Sequence, residues 1–225
     1  MHNDLSSARY RNRMIVIFSY NRPDMLKRLI EECPEKPIVI DDGSNFDAMP
    51  FVGMCEFHRL NHKGKRGFWA NWHYALQRCK ASDDEYFTFL ADDFHSVEWQ
   101  TLSRFKRKKP FAYNLLNDGR TECFIACKPV DKEFYGVPSI QVGFTDCGYH
   151  CNRSALKVLN FTMPPVDPMR FDNPEMSSGV GAYQSTQFFI NLVPMYVPKK
   201  SLVKHGNHPS MMHPELRKKV PLIDQ

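Results

Sequence analysis

Two pairs of adjacent carboxylates, Asp41-Asp42 and Asp92-Asp93, each follow a short apolar run, Ile38-Val39-Ile40 and Tyr86 to Leu90. Neighbouring carboxylates repel, so such pairs need a cation, a donor network or solvent to offset the charge. A divalent metal bridging to a diphosphate is one natural answer. The plainer alternative is that they are turn and N-cap residues, which Asp favours. Two pairs at successive strand ends favour the functional reading, because ligands of open parallel sheets sit beyond the carboxyl ends of strands. A basic, glycine-containing stretch, Asn61 to Gly67, carries Lys63, Lys65 and Arg66. It suits a phosphate, although the G-x-x-x-x-G-K-[ST] spacing of a P-loop is absent. Cys123, Cys127, Cys147 and Cys151 have spacings a structural zinc site permits, and equally those of small thiols inside strands. Arg104 to Lys109 holds five basic residues in six, either a phosphate-backbone contact or a solvated surface. Trp69, Trp72 and Trp99 read as core before sugar platforms.

The elements that must position these groups are legible in the first hundred residues. Met14 to Tyr20 is a continuous apolar run, the pattern of a buried parallel strand. Pro23 suits a first helical turn, and Met25, Leu26, Leu29, Ile30 and Cys33 form a helical stripe that Pro34 ends. Strands follow at 38–40 and, more weakly, 56–60. A helix spans Phe68 to Lys80, and Tyr86 to Leu90 is a further strand. The alternation predicts an α/β fold with a mostly parallel central sheet flanked by helices. Beyond residue 100 the pattern is irregular: strand-like pieces at 123–128, 140–144, 195–197 and 201–203, and helices at 153–159 and 182–192. The 225 residues, 42% hydrophobic and 24% charged, fit one compact unit and exclude a disordered tail protein. The net charge of +5 suits an anionic partner without demanding one. Seven cysteines and a polar N-terminal stretch point to reduced, cytoplasmic conditions without a membrane anchor.

The run Met14 to Asp24, with Ser19-Tyr20-Asn21-Arg22-Pro23, then Ile38 to Ser44 with Asp41-Asp42-Gly43-Ser44, then Phe89-Leu90-Ala91-Asp92-Asp93, resembles a nucleotide-diphospho-sugar glycosyltransferase of the GT-A fold. The likeness is to the family 2-like group, including its small phage-type members. Asn61 to Asn71 resembles the group's N-x-G-x-x-x-A-x-N segment. The match covers about residues 14–95, and the order of the motifs is its specific part. The resemblance implies a single domain over 1–225. Within it, 12–100 forms a nucleotide-sugar-binding half. Residues 101–225 form an acceptor-side half whose C-terminal tail closes over the donor. It also implies that Ser19, Tyr20, Asn21 and Arg22, with Asp41 or Asp42, hold the base and ribose of a donor, UDP-linked by expectation. Lys65, Arg66 and Asn71 would contact the donor, Asp92 would lie near the ribose or sugar, and Asp93 with His205 would ligate Mn²⁺ or Mg²⁺. Whether Asp92 or Asp93 holds the metal stays open, because Ala91 replaces the motif's usual first Asp. His208 and His213 either flank the donor or belong to an exposed tail.

A second departure concerns the general base. The late acidic pair of inverting members is absent from Ser178 to Gln187. Asp146 is then the first candidate base and Asp172 the second. A retaining reaction with Gln184 or Gln187 near the anomeric carbon is the alternative. The acceptor is a hydroxyl, either on a hydroxymethylated DNA base in a phage-type modification system within a bacterial host or on a bacterial surface glycan. Two rivals remain. A nucleotidyltransferase would carry a glycine-rich basic loop after the first strand, where Ser19 to Pro23 stand instead. A non-catalytic, zinc-stabilised nucleic-acid-binding protein would use the paired cysteines and the basic run.

Overall fold

In the computed structural model, the chain is described over residues 12–60, 64–117, 130–145, 148–165 and 178–206. Strand β1 (Arg13–Ser19) leads into helix α1 (Pro23–Glu32), then β2 (Ile38–Asp41) and β3 (Glu56–Arg59). Helix α2 (Gly64–Ala81) precedes β4 (Tyr86–Ala91), the short β5 (Phe94–His95) and α3 (Trp99–Leu102). The rest comprises β6 (Ala112–Asn114), β7 (Val130–Phe134), β8 (Val137–Val142), β9 (Tyr149–Asn152), α4 (Arg153–Val158), α5 (Val180–Ile190), β10 (Met195–Pro198) and β11 (Lys204–His205).

Nine strands form one sheet in the order β3-β2-β1-β4-β9-β6-β10-β8-β7. The first four are mutually parallel, as the alternation predicts. The expectation of a mostly parallel sheet fails beyond β4. There β9 runs antiparallel to both β4 and β6, β10 is parallel to β6, and β8 is antiparallel to β10 and β7. The sheet is mixed, because parallel pairing needs long crossovers and tight turns give antiparallel pairs. The β7–β8 turn shows this directly. Tyr135 and Gly136 both have positive φ, 51° and 80°, the requirement of a two-residue type I′ hairpin.

β1 explains its own apolar run. Ile15 and Ile17 face a cluster with Leu26, Leu29 and Ile30 of α1, whereas Val16 and Phe18 face Trp72 and Leu76 of α2. A strand covered on both faces has no polar side. α1 buries Leu26, Leu29 and Ile30, and it ends at Cys33, whose extended backbone suits the residue before Pro34. Trp72 is fully buried and Trp69 nearly so, consistent with core roles. The expected strand at 201–203 is instead an irregular segment that buries Leu202 and Val203, and the ladder forms at Lys204–His205.

The register sets up the site. Ser19 is level with Asp41 and Phe18 with Ala91, so Tyr20, Asp42 and Asp92 leave the sheet at one edge.

Candidate active site at the carboxyl edge of the parallel strands

Four carboxylates gather at this edge, and Asp41, Asp42, Asp92 and Asp93 are each at most 4% exposed. Ionised carboxylates at that burial need partners. Asp41 has two. Its Oδ2 accepts from Arg59 Nε at 2.7 Å and from the Ser44 amide at 3.0 Å, and the Ser44 hydroxyl bonds its Oδ1. The Arg59 guanidinium also lies over the rings of Phe46 and Phe57, at 5.1 and 5.4 Å. Asp42 accepts from Asn71 Nδ2 of α2 at 2.9 Å, which ties that helix to the end of β2.

The turn after β1 is built by its own residues. Asn21 sits at φ 53°, a left-handed position that Asn tolerates better than most side chains. Its amide donates to Ser44 Oγ at 2.7 Å and its Oδ1 accepts from the Asn45 amide at 2.8 Å. The two loops are therefore locked together, with Gly43 at φ 77° completing the second.

Asp92 and Asp93 meet this turn. Asp92 Oδ2 accepts from the Tyr20 amide at 2.9 Å. Arg22 Nη1 donates to Asp92 Oδ1 at 3.1 Å and to Asp93 Oδ2 at 2.7 Å. Burial pushes the Asp92 carboxyl up to about 6; the Tyr20 amide and the Arg22 charge pull it down, and the Asp93 charge adds to the rise. β11 pairs antiparallel with β5, directly after the acidic pair. This places His205 Nε2 3.3 Å from Asp93 Oδ2, and the Gly206 amide donates to the Asp93 carbonyl at 2.8 Å. The His205 ring lies edge-on to Phe94 at 5.7 Å.

Ser19, Tyr20, Asn21, Arg22, Asp41, Asp42, Asn71, Asp92, Asp93 and His205 thus occur in one connected cluster or directly beside it. Lys65 and Arg66 were expected in a loop and instead lie in the first turn of α2. The helix begins earlier than its apolar stripe because Gly64 to Gly67 add a turn without apolar side chains. Basic residues oppose the dipole there, and an anion at that helix end relieves the conflict. Gln187 is half-buried on α5, and no hydrogen bond among the described residues joins it to the acidic cluster. Gln184 is fully buried on the same helix. Asp146 and Asp172 lie outside the described residues, as do His208, His213, Cys123, Cys127 and Cys147. Cys151, the remaining member of the cysteine set, is a free thiol buried in β9.

Oxygen and imidazole donors of the Asp92, Asp93 and His205 kind suit Mn²⁺ or Mg²⁺. Among the described residues, however, no three such side chains are gathered closely enough to hold a metal ion. Arg22 Nη1 stands at the carboxylates instead. A separate cleft of about 660 Å³ lies between α2 and Thr162–Pro165, is mostly apolar, and has no carboxylate in its lining.

Solved structures with this architecture include Staphylococcus aureus TarS 1–349. It has a TM-score of 0.52 and 9% identity, covering 87% of this chain and 60% of that one. The same protein in complex with UDP gives 0.52 at 12% identity, covering 88% and 61%. A mycobacterial protein gives 0.52 at 14% identity, covering 91% and 70%. The fold is GT-A-like. This chain spans about 60% of the length of TarS 1–349. No family model and no curated protein matches the sequence.

Sequence reasoning passed over two members of the cluster. Ser44 lay inside the quoted Asp41 to Ser44 motif but was given no role. Arg59 gave no motif signal. Its place follows from β2–β3 register, which sets Asp41 opposite Arg59.

The basic run lies elsewhere. The Asn152 side-chain amide donates to the carbonyls of Arg107, Lys108 and Lys109, and Asn152 is level with Tyr86 at the start of β4. Asp92 and Asp93 follow the other end of that strand, about 20 Å away at the usual rise per residue.

Proposed function

We propose that the chain is a nucleotide-sugar glycosyltransferase whose donor site is the edge where Asp41, Asp42, Asp92 and Asp93 converge. One observation carries the reading. Four buried carboxylates gather at the carboxyl ends of β2 and β4, the two parallel strands that flank β1, in a fold similar to that of a protein solved with UDP.

In this reading the locked Tyr20–Asn21 and Asp41–Ser44 loops orient the base and ribose of the donor. Carboxylate oxygens there accept from ribose hydroxyls or a base N–H. Lys65 and Arg66, at the start of α2, face the negative charge of the diphosphate. Asp93 and His205 would contribute two ligands to a Mn²⁺ or Mg²⁺ ion, which would neutralise charge on the departing diphosphate. Asp146 would act as the general base, with Asp172 as the second candidate. The adjoining Thr145 is pinned on both sides: its amide donates to Ser185 Oγ at 2.7 Å and its hydroxyl to Asn114 Oδ1 at 2.9 Å.

The acceptor is a hydroxyl compound. The Arg104–Lys109 run sits at the opposite end of the sheet from the acidic cluster. No helix among the described residues is long and apolar enough to cross a membrane.

Calorimetric titration with UDP, with and without Mn²⁺, on wild type and Asp93→Ala tests the reading. Metal-dependent UDP binding that is lost in the variant is the expected result. Absence of binding for UDP and for a panel of other nucleotides would overturn it and favour the zinc-stabilised nucleic-acid-binding rival.

A further inference from the structure

The acidic pair already has a cation. Arg22 contributes one nitrogen to both carboxylates, at 3.1 and 2.7 Å, and its side chain is only 14% exposed. Charge-assisted contacts of this kind are strong at low exposure. A divalent ion at the same oxygens would stand beside a guanidinium, and like charges at such separations repel. Arg22 at this position therefore disfavours a metal at the same oxygens.

The arginine is also able to leave. Its backbone is fixed, because its carbonyl accepts from the Leu26 amide at 3.0 Å in the first turn of α1 and Pro23 follows it. The preceding Asn21 is fixed by Ser44 and Asn45. The side chain beyond that anchor has several rotatable bonds, so it can change partners while its backbone stays in place. A planar guanidinium pairs with phosphate oxygens as well as with carboxylates.

We propose that Arg22 is a built-in counter-cation. It closes Asp92 and Asp93 and transfers to the diphosphate when the nucleotide binds, releasing the carboxylates to a divalent ion. The inference rests on the donor-site reading above and adds an order of events. The metal binds weakly alone, and nucleotide and metal favour one another. Such coupling is reciprocal, so whatever the nucleotide does for the metal the metal does for the nucleotide.

The test measures Mn²⁺ binding without nucleotide, by loss of the free-ion electron paramagnetic resonance signal. It uses wild type, Arg22→Gln and Arg22→Lys. Removing the competing charge is expected to tighten Mn²⁺ binding in Arg22→Gln about ten-fold or more, while Arg22→Lys stays close to wild type. Equal Mn²⁺ affinity in wild type and Arg22→Gln overturns the proposal. A second measurement uses wild type alone, should the glutamine variant not fold. The guanidinium resonance of Arg22, assigned with Arg22→Lys, is followed in ¹⁵N-labelled protein. It is expected to shift with UDP and Mg²⁺ together and not with Mg²⁺ alone; an Arg22 signal indifferent to UDP overturns the proposal. UDP affinity in the presence of Mn²⁺ separates the two readings. UDP binding without a metal gain in Arg22→Gln leaves the donor site standing and removes the Arg22 role. A metal gain without nucleotide binding overturns the donor-site reading and, with it, the transfer of Arg22 to a diphosphate.

Discussion

Asp92 is held by one amide and one guanidinium, and burial still raises its carboxyl to about 6. An unfolded Asp titrates near 4. Between these values the folded protein holds a proton that the unfolded chain has released, so stability rises as pH falls through about 6 towards about 4. Above pH 6 the ionised group is a standing cost to the ligand-free fold. Wild type is therefore expected to gain thermal stability relative to Asp92→Asn when pH drops from 7 to 5. Melting curves at the two pH values check this, and a constant difference between the proteins contradicts it. The site was legible at this scale where a residue belonged to a contiguous motif. Asp41, Asp42, Asp92 and Asp93 announce themselves by adjacency after apolar runs. Arg59 does not, since its partnership with Asp41 exists only once β3 lies beside β2. Arg22 was read as a donor-binding residue, and its position against both carboxylates needed the fold of the turn after β1.

β5 and β11 are two residues long, yet they fix the late histidine beside Asp93. What supports them is packing. Phe94 is buried against Gly148, where an added Cβ would meet the ring at 2.3 Å. Gly148→Ala must displace the Phe94 ring, which lies edge-on to His205. Overpacking of this kind costs about 1–3 kcal/mol. A urea melt should show that loss, and amide exchange at His205 and Gly206 should quicken. An unchanged melt and unchanged exchange would show that the ring gives way freely. At the scale of elements, β1, α1, β2, α2 and β4 were readable because each carries a long enough apolar period. β6 and β9 were not: Ala-Tyr-Asn and Tyr-His-Cys-Asn lack the aliphatic run that marks β2, and antiparallel partners are not encoded by periodicity. The start of α2 was missed for a related reason, since Gly64 to Gly67 contribute no stripe.

Across the molecule, both outer strands of the large sheet are defended. β7 reads Val-Asp-Lys-Glu-Phe with its first four residues exposed, and β3 carries Glu56, His58 and Arg59. Charged side chains at an edge discourage pairing with another chain. The interior strands β1 and β4 are covered on both faces, so their amides are expected to exchange slowest and those of β7 fastest. Hydrogen exchange read by mass spectrometry checks the ranking. Comparable protection in β7 and β1 would mean that the outer hairpin is covered by a partner. The parallel half of the sheet was predictable as a whole, because helical crossovers between apolar strands permit few alternatives. The remaining order was not, because β10 inserts between β6 and β8, a choice made by strands far apart in the chain.

That insertion has a consequence for how the protein is made. A ribosome delivers β1 to β4 early, and these strands need no later one to pair. The β7–β8 hairpin emerges after β6 but joins the sheet only through β10, which is translated last of the nine. At ordinary elongation rates it waits on the order of several seconds with its inward side bare. The nascent chain is therefore most exposed to chaperones and proteases late in synthesis, after the parallel strands β1 to β4 have all emerged.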